Sequence, residues 1–135
     1  MAAFGGALGS GAAPALKRLY LERSKIGDEG VRHLCDALAR GAAPALKWLN
    51  LTFNKIGDAG LRHLGDALAR GAAPALETLD LGYGNKIGDE GLRHLGDALA
   101  RGAAPVLESL VLYSNPASDA AQQALRDARP GLQIR

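Results

Sequence analysis

Apolar and polar positions along this chain follow one phrase, used four times. In Leu46-Lys47-Trp48-Leu49-Asn50-Leu51-Thr52-Phe53-Asn54 the order is L-x-x-L-x-L-x-x-N. The phrase also starts at Leu16 (then Leu19, Leu21, Ser24), at Leu76 (Leu79, Leu81, Asn85) and at Leu107 (Leu110, Leu112, Asn115). A Gly-Ala-Ala-Pro string opens each unit, at Gly11, Gly41, Gly71 and Gly102, at intervals of 30, 30 and 31 residues. The extra residue of the third unit lies in Gly82-Tyr83-Gly84, where a loop absorbs it. Self-similarity at a fixed period of this length is the signature of a solenoid.

Within a unit the period of the pattern changes from 2 to 3.6. Leu49-Asn50-Leu51 sets two apolar residues around a polar one, as in a short strand with one buried face. Val31, Leu34, Cys35 and Leu38 then fall on one helical stripe, with Arg32, Asp36 and Arg40 off it. The helices are predicted to begin at Asp28, Asp58 and Asp89, each Asp capping the first turn of its own helix. Gly41 with Pro44, Gly71 with Pro74 and Gly102 with Pro105 end them. Small residues on the helix flanks (Gly30, Ala37, Cys35 or its counterparts Gly65 and Gly96) let neighbouring helices approach.

Stacked strands repeat at about 4.8 Å, whereas packed helices need about 8–10 Å between axes. An array of such units must curve, strands inside and helices outside. The predicted fold is therefore an α/β solenoid, a horseshoe arc with a concave parallel sheet. Its repeats span 11–40, 41–70, 71–101 and 102–129. The last is degenerate: Ala117 and Ala121 replace Ile and Gly, Ser118 is placed to cap, and the helix is more polar, as a terminal repeat requires. Residues 130–135 form a C-terminal stub in which Leu132 and Ile134 could begin another strand. Residues 1–10 read equally well as the end of a preceding repeat's helix, with Phe4, Ala7 and Leu8 in phase with Leu34, Ala37 and Leu38, or as a flexible leader.

The unit L-x-x-L-x-L-x-x-N-x-I-G-D-x-G-x-x-x-L-x-x-A-L resembles the leucine-rich repeat, and within it the ribonuclease-inhibitor-like class with its full-length helices. The resemblance spans residues 11–129. It implies that Asn54, Asn85 and Asn115 bond backbone groups in the turns and form a ladder between repeats, with Ser24 a shorter substitute in the first unit. It also implies protein recognition through the concave face. The units are similar to the repeat regions of NLR-type intracellular immune receptors and of Ran GTPase-activating proteins, although fewer in number.

Composition narrows the remaining choices. The 135 residues are 47% hydrophobic and 22% charged, enough for one folded domain, but only 4% aromatic, so aliphatic residues must make the core. A net charge of +2 with intermixed signs gives no pull towards nucleic acid or membrane. A single cysteine, Cys35, forms no internal disulfide and fits a reducing, cytoplasmic setting. Residues 1–14 lack a basic n-region and a sustained apolar run, so no secretory signal is expected.

Catalytic patterns are missing: no phosphate-binding G-x-x-x-x-G-K-[ST] loop, no G-x-G-x-x-G and no G-x-S-x-G. His33, His63 and His94 align along the array, but they are expected to face away from the buried stripe, too far apart to share a metal. Asp28-Glu29 and Asp89-Glu90 read as helix-start acids rather than a calcium site. Cys35 reads as a packed thiol, and the sequon Asn50-Leu51-Thr52 as incidental. The expectation is a module without enzyme activity, cofactor or metal.

The second and third units differ by substitution at six aligned positions. These are Lys47/Glu77, Trp48/Thr78, Asn50/Asp80, Thr52/Gly82, Phe53/Tyr83 and Ala59/Glu90. Five lie on or beside the strand, whereas exposed helix positions such as Arg62/Arg93 and Asp66/Asp97 are identical. Drift after duplication competes with diversification of a binding surface, and the constancy of the helices favours the latter. The outward strand rows are Arg18, Trp48, Thr78, Ser109; Tyr20, Asn50, Asp80, Val111; and Glu22, Thr52, Gly82, Tyr113. Arg23, Phe53 and Tyr83 form a possible rim. Tyr20 and Trp48 are the expected anchor. Charge changes sign along the array, from Lys17, Arg18, Arg23 and Lys47 to Glu77, Asp80 and Glu108, which would orient a dipolar partner unless Lys47 and Glu77 simply pair. The partner expected is another protein. Regulation of a GTPase, a role inside a longer receptor and a purely architectural role are the rivals.

Overall fold

The computed structural model describes residues 14–135, so both readings of residues 1–10 fall outside the described residues. Strands and helices alternate: β1 (Arg18–Tyr20), α1 (Gly27–Ala39), β2 (Trp48–Asn50), α2 (Asp58–Ala69), β3 (Thr78–Asp80), α3 (Asp89–Ala100), β4 (Ser109–Val111), α4 (Asp119–Ala128) and β5 (Gln133–Ile134). The strands form one parallel sheet in sequence order. Leu19, Leu49, Leu79, Leu110 and Ile134 stand in register across it. The fold is the α/β solenoid anticipated, and the stub contributes a fifth strand.

Leucines at the repeated positions explain the stacking. Leu46, Leu49, Leu51, Leu76, Leu79 and Leu81 are fully buried, and Ile56 and Ile87 close the space between sheet and helices. Each such side chain stabilises the fold by about 1.5–3 kcal/mol relative to exposure. The helices end as expected. Gly41 has φ +83°, its N–H bonds Leu38 O at 3.0 Å, and the next N–H, of Ala42, reaches Ala37 O at 3.2 Å. Conformation, not space, demands glycine there, because a Cβ would meet nothing within 4 Å.

The helix starts are built differently from the expectation. Asp58 and Asp89 are the first helical residues, Gly57 and Gly88 take the cap position, and none of the first three helices has a side-chain cap of its own. Each carboxylate reaches forward instead. Asp28 Oδ1 accepts from the N–H groups of Gly57 (2.7 Å) and Gly60 (3.0 Å). Asp58 Oδ1 does the same for Gly88 (2.7 Å) and Gly91 (3.1 Å). An Asp projecting from the first turn points outwards to the neighbouring helix, whose free N–H groups lie within reach; the bond contributes about 1 kcal/mol, as an ordinary cap does. At the last joint Asp89 accepts from the Ser118 N–H (2.6 Å) and hydroxyl (2.9 Å). Both bonds, the backbone one first, hold its carboxyl below the usual carboxylate range. Ser118 Oγ in turn accepts from Ala121 N–H at 3.1 Å, the one self-capped helix among those described.

The asparagine ladder is in place. Asn54 Oδ1 accepts from Ser24 N–H (2.9 Å) and Ile26 N–H (3.3 Å) of the preceding repeat, while Nδ2 donates to Leu21 O (2.8 Å) and Thr52 O (3.0 Å). Asn85 repeats this one unit on, and Asn115 donates to Leu81 O at 2.9 Å and accepts from Ile87 N–H at 3.0 Å. The terminal helix buries only Leu125. Arg129 beside it donates to Leu99 O and Ala104 O, both at 3.0 Å, and so ties the terminal helix to the end of α3 and the turn after it.

Cys35 is buried, and desolvation pushes its thiol up to about 12. At neutral pH the nucleophilic thiolate is therefore scarce as well as inaccessible. Maleimide labelling of the native protein is expected to run at least about a hundredfold slower than after denaturation. Equal rates would show that α1 does not bury this side chain.

Candidate functional site

The strand residues between the core leucines form the concave surface. Register places Arg18, Trp48, Thr78 and Ser109 in one row and Tyr20, Asn50, Asp80 and Val111 in the next. Tyr20 and Trp48 meet with ring centroids 6.4 Å apart at a tilt of 55°, and the Arg18 guanidinium lies 5.9 Å from the Trp48 ring. A shallow depression beside them is lined by Trp48, Asp80, Val111, Tyr113 and Arg135. Arg135 was not among the sequence candidates. Its position follows from β5, which extends the sheet beyond the repeats that the phrase marks.

The third row is not a free surface. Thr52 is only 8% exposed, and its N–H (3.0 Å) and hydroxyl (2.9 Å) both bond Asn50 Oδ1. Asp80 likewise accepts from Gly82 N–H at 3.0 Å. Regular strand ends at Asn50, and although backbone bonds to the neighbouring repeats continue to Phe53, the residue expected to continue the outward alternation is turned in against the Asn50 side chain. Asn50 also donates to Glu22 at 3.2 Å, which ties the first two repeats across the surface.

The fourth member of that row goes elsewhere. Gly82 presents no side chain, and the Tyr113 ring packs on Tyr83, with centroids 5.8 Å apart. Tyr83 stacks on Phe53 at 6.2 Å and 12°, and the Arg23 guanidinium covers the far face of Phe53 at 4.1 Å. The rim is thus one continuous stack, Arg23–Phe53–Tyr83–Tyr113, running across three joints. The residue inserted in the third unit makes room for it. A Cβ on Gly84 would stand 2.5 Å from Phe53 Cδ1 and 2.7 Å from Phe53 Cα.

All five aromatic residues among those described lie on this side of the arc, between 38% and 51% exposed. An aromatic ring is the largest hydrophobic contribution a side chain offers a core, and none of these five is used for it.

The remaining candidates are structural. Lys47 and Glu77 approach to 3.9 Å while both stay half-exposed, a contact that contributes little to stability. The histidines do not face freely outwards: all three are half-buried, and His94 Nε2 lies 2.8 Å from Asp66 Oδ1 of the preceding helix. The neighbouring helix covers the flank that a single helical wheel leaves open. Among the described residues no three His, Cys, Asp or Glu side chains are grouped to hold a metal, and no helix is long and apolar enough to cross a membrane.

The family described as Leucine Rich repeat matches residues 13–35, 44–65 and 73–96, just over half of the chain. No curated protein matches by sequence. Among solved structures, leiomodin-1 actin-binding site 2 superposes with a TM-score of 0.76 at 16% identity, over 92% of this chain and 69% of that one. The tropomodulin C-terminal domain of Caenorhabditis elegans gives 0.66 at 15% identity, over 93% and 89%. The Mex67:Mtr2 subunits of Chaetomium give 0.63 at 19%, over 98% and 87%. At such identities the likeness is one of fold.

Proposed function

The chain belongs to the leucine-rich repeat family, and from that premise we propose that it is a non-catalytic protein-binding module of the ribonuclease-inhibitor-like class. Its partner sits against the concave sheet and the rim beside it. The observation that carries this reading is the placement of the aromatics. Exposed Tyr20, Trp48, Phe53, Tyr83 and Tyr113 share one face, on or beside the strand positions at which otherwise near-identical repeats differ. Tyr, Trp and Arg are the residues that dominate binding energy at protein interfaces. The sheet side of this surface is Arg18, Tyr20, Glu22 and Trp48, with Asn50, Thr78, Asp80, Ser109 and Val111 half-buried beside them. Leiomodin-1 carries an actin-binding site on the same fold, but at 16% identity the partner here has to be argued from this chain's own side chains. The free, buried thiol of Cys35 supports a reducing, cytoplasmic setting.

The test is a double substitution, Tyr20→Ala with Trp48→Ala. Both rings are exposed, so the melting temperature is expected to hold. Proteins retained specifically by the immobilised wild-type chain should lose about 2 kcal/mol or more of affinity, roughly thirtyfold in Kd. The reading fails if their affinity is unchanged, or if Arg62→Ala with Arg93→Ala on the convex helices removes it instead.

A further inference from the structure

The loops that follow the strands carry more than rings. Lys25, Lys55 and Lys86 occupy equivalent positions of the first three repeats, all are exposed, and none makes an ion pair among the described residues. Arg23, Lys25, Phe53, Lys55 and Gly84 together line a shallow open depression. The acids that follow these lysines at the helix starts, Asp28, Asp58 and Asp89, are engaged by backbone N–H groups of the next repeat. The rim therefore presents unneutralised cations interleaved with aromatic side chains.

We propose that this rim is the docking strip for an extended acidic segment of the partner protein, with Asp or Glu at alternate positions. The inference rests on the protein-binding reading above and specifies the chemistry of that partner. Three features select the occupant. The charge of the strip demands an anionic ligand. Its ring faces are already taken, because Phe53 lies between Arg23 and Tyr83 while Tyr83 lies between Phe53 and Tyr113. What the strip offers is ring edges, which carry the positive end of the aromatic quadrupole and attract carboxylates; nucleobases, which need free faces, find one only at the end of the stack, on Tyr113. Finally, the rings recur at 6.2 and 5.8 Å, close to the advance of about 6.6–6.8 Å over two residues of an extended chain. A segment crossing the repeats would set every second side chain at a ring edge and beside a lysine.

Fluorescence anisotropy against four labelled probes tests this on the whole chain: a twelve-residue peptide alternating Asp and Ser, a block peptide of the same composition, an alternating Lys-Ser peptide, and oligothymidylate of twelve nucleotides. The alternating acidic peptide should bind tightest, and Lys55→Glu with Lys86→Glu should weaken it by on the order of tenfold and admit the Lys-Ser peptide. Gly84→Ala, which keeps the charge but displaces Phe53, should narrow the gap between alternating and block peptides. Tighter binding of oligothymidylate, no preference for alternation, or no effect of the lysine reversals overturns the proposal. If the acidic probe fails while Tyr20→Ala with Trp48→Ala still releases a retained protein, the rim inference alone is wrong. If that pair has no effect either, the protein-binding reading falls as well.

Discussion

Asn85→Ala is expected to cost about 3–5 kcal/mol of unfolding free energy, lowering the melting temperature by roughly 10–20 °C. Asn85 is 6% exposed and makes four bonds to backbone. Its Oδ1 accepts from Asn54 N–H (3.2 Å) and Ile56 N–H (2.9 Å), and its Nδ2 donates to Leu51 O and Leu81 O, both at 3.1 Å. Alanine leaves two buried N–H groups without an acceptor, at about 1–3 kcal/mol each, and removes a donor from Leu51 O as well. Against a typical total of about 5–15 kcal/mol the loss is severe. Asn85→Asp separates hydrogen bonding from size. It keeps the acceptor but turns a carboxylate oxygen towards Leu51 O and Leu81 O, so it should also destabilise. Urea unfolding measures both; a change below about 1 kcal/mol for Asn85→Ala would remove the ladder from any account of how the repeats are held together.

Gly60→Ala sets two effects against each other. Alanine is the better helix former by about 1 kcal/mol, and on an isolated helix the change would stabilise. In the array its Cβ would stand 2.5 Å from Asp28 Oδ1 and 2.8 Å from Ile56 Cγ2. The carboxylate must withdraw, leaving Gly57 N–H and Gly60 N–H without it, while the buried Ile56 is pushed off its rotamer. Overpacking of this kind costs about 1–3 kcal/mol and loss of the cap about 1 kcal/mol more, so destabilisation wins by about 1–3 kcal/mol. In an Asp28→Ala background the penalty of Gly60→Ala should shrink, because the nearest atom is gone. Independent, additive effects in that double-mutant cycle would contradict the forward cap.

Asn85 and Asp28 could both be picked out in the sequence, but only the asparagine could be assigned its role there. The leucines and the repeating Asn are legible because periodicity within one unit determines which face they bury and which turn they close. Asp28 was legible as a helix-start acid, yet its bonding partners lie 29 and 32 residues away, in a neighbour with the same local sequence as its own helix. No pattern inside a unit distinguishes capping oneself from capping the next. The histidines misled for a related reason, since a helical wheel omits the adjacent helix. On the concave side Trp48 and Tyr20 were readable from strand alternation, but Thr52 and Tyr113 follow the last strand residue, where alternation ends. Gly84 looked like slack in a loop, whereas it is the seat on which the Phe53 ring rests.

The forward reach of aspartate and the backward reach of asparagine make the joints between repeats interchangeable. Asp28 on Gly57 and Gly60 is the same coupling as Asp58 on Gly88 and Gly91. Each repeat offers one standard fitting to its successor and receives another from it. An arc built this way changes length by whole repeats with no new interface to invent. What remains free to vary is the side chains facing the inside of the arc, which assembly of the repeats leaves unconstrained.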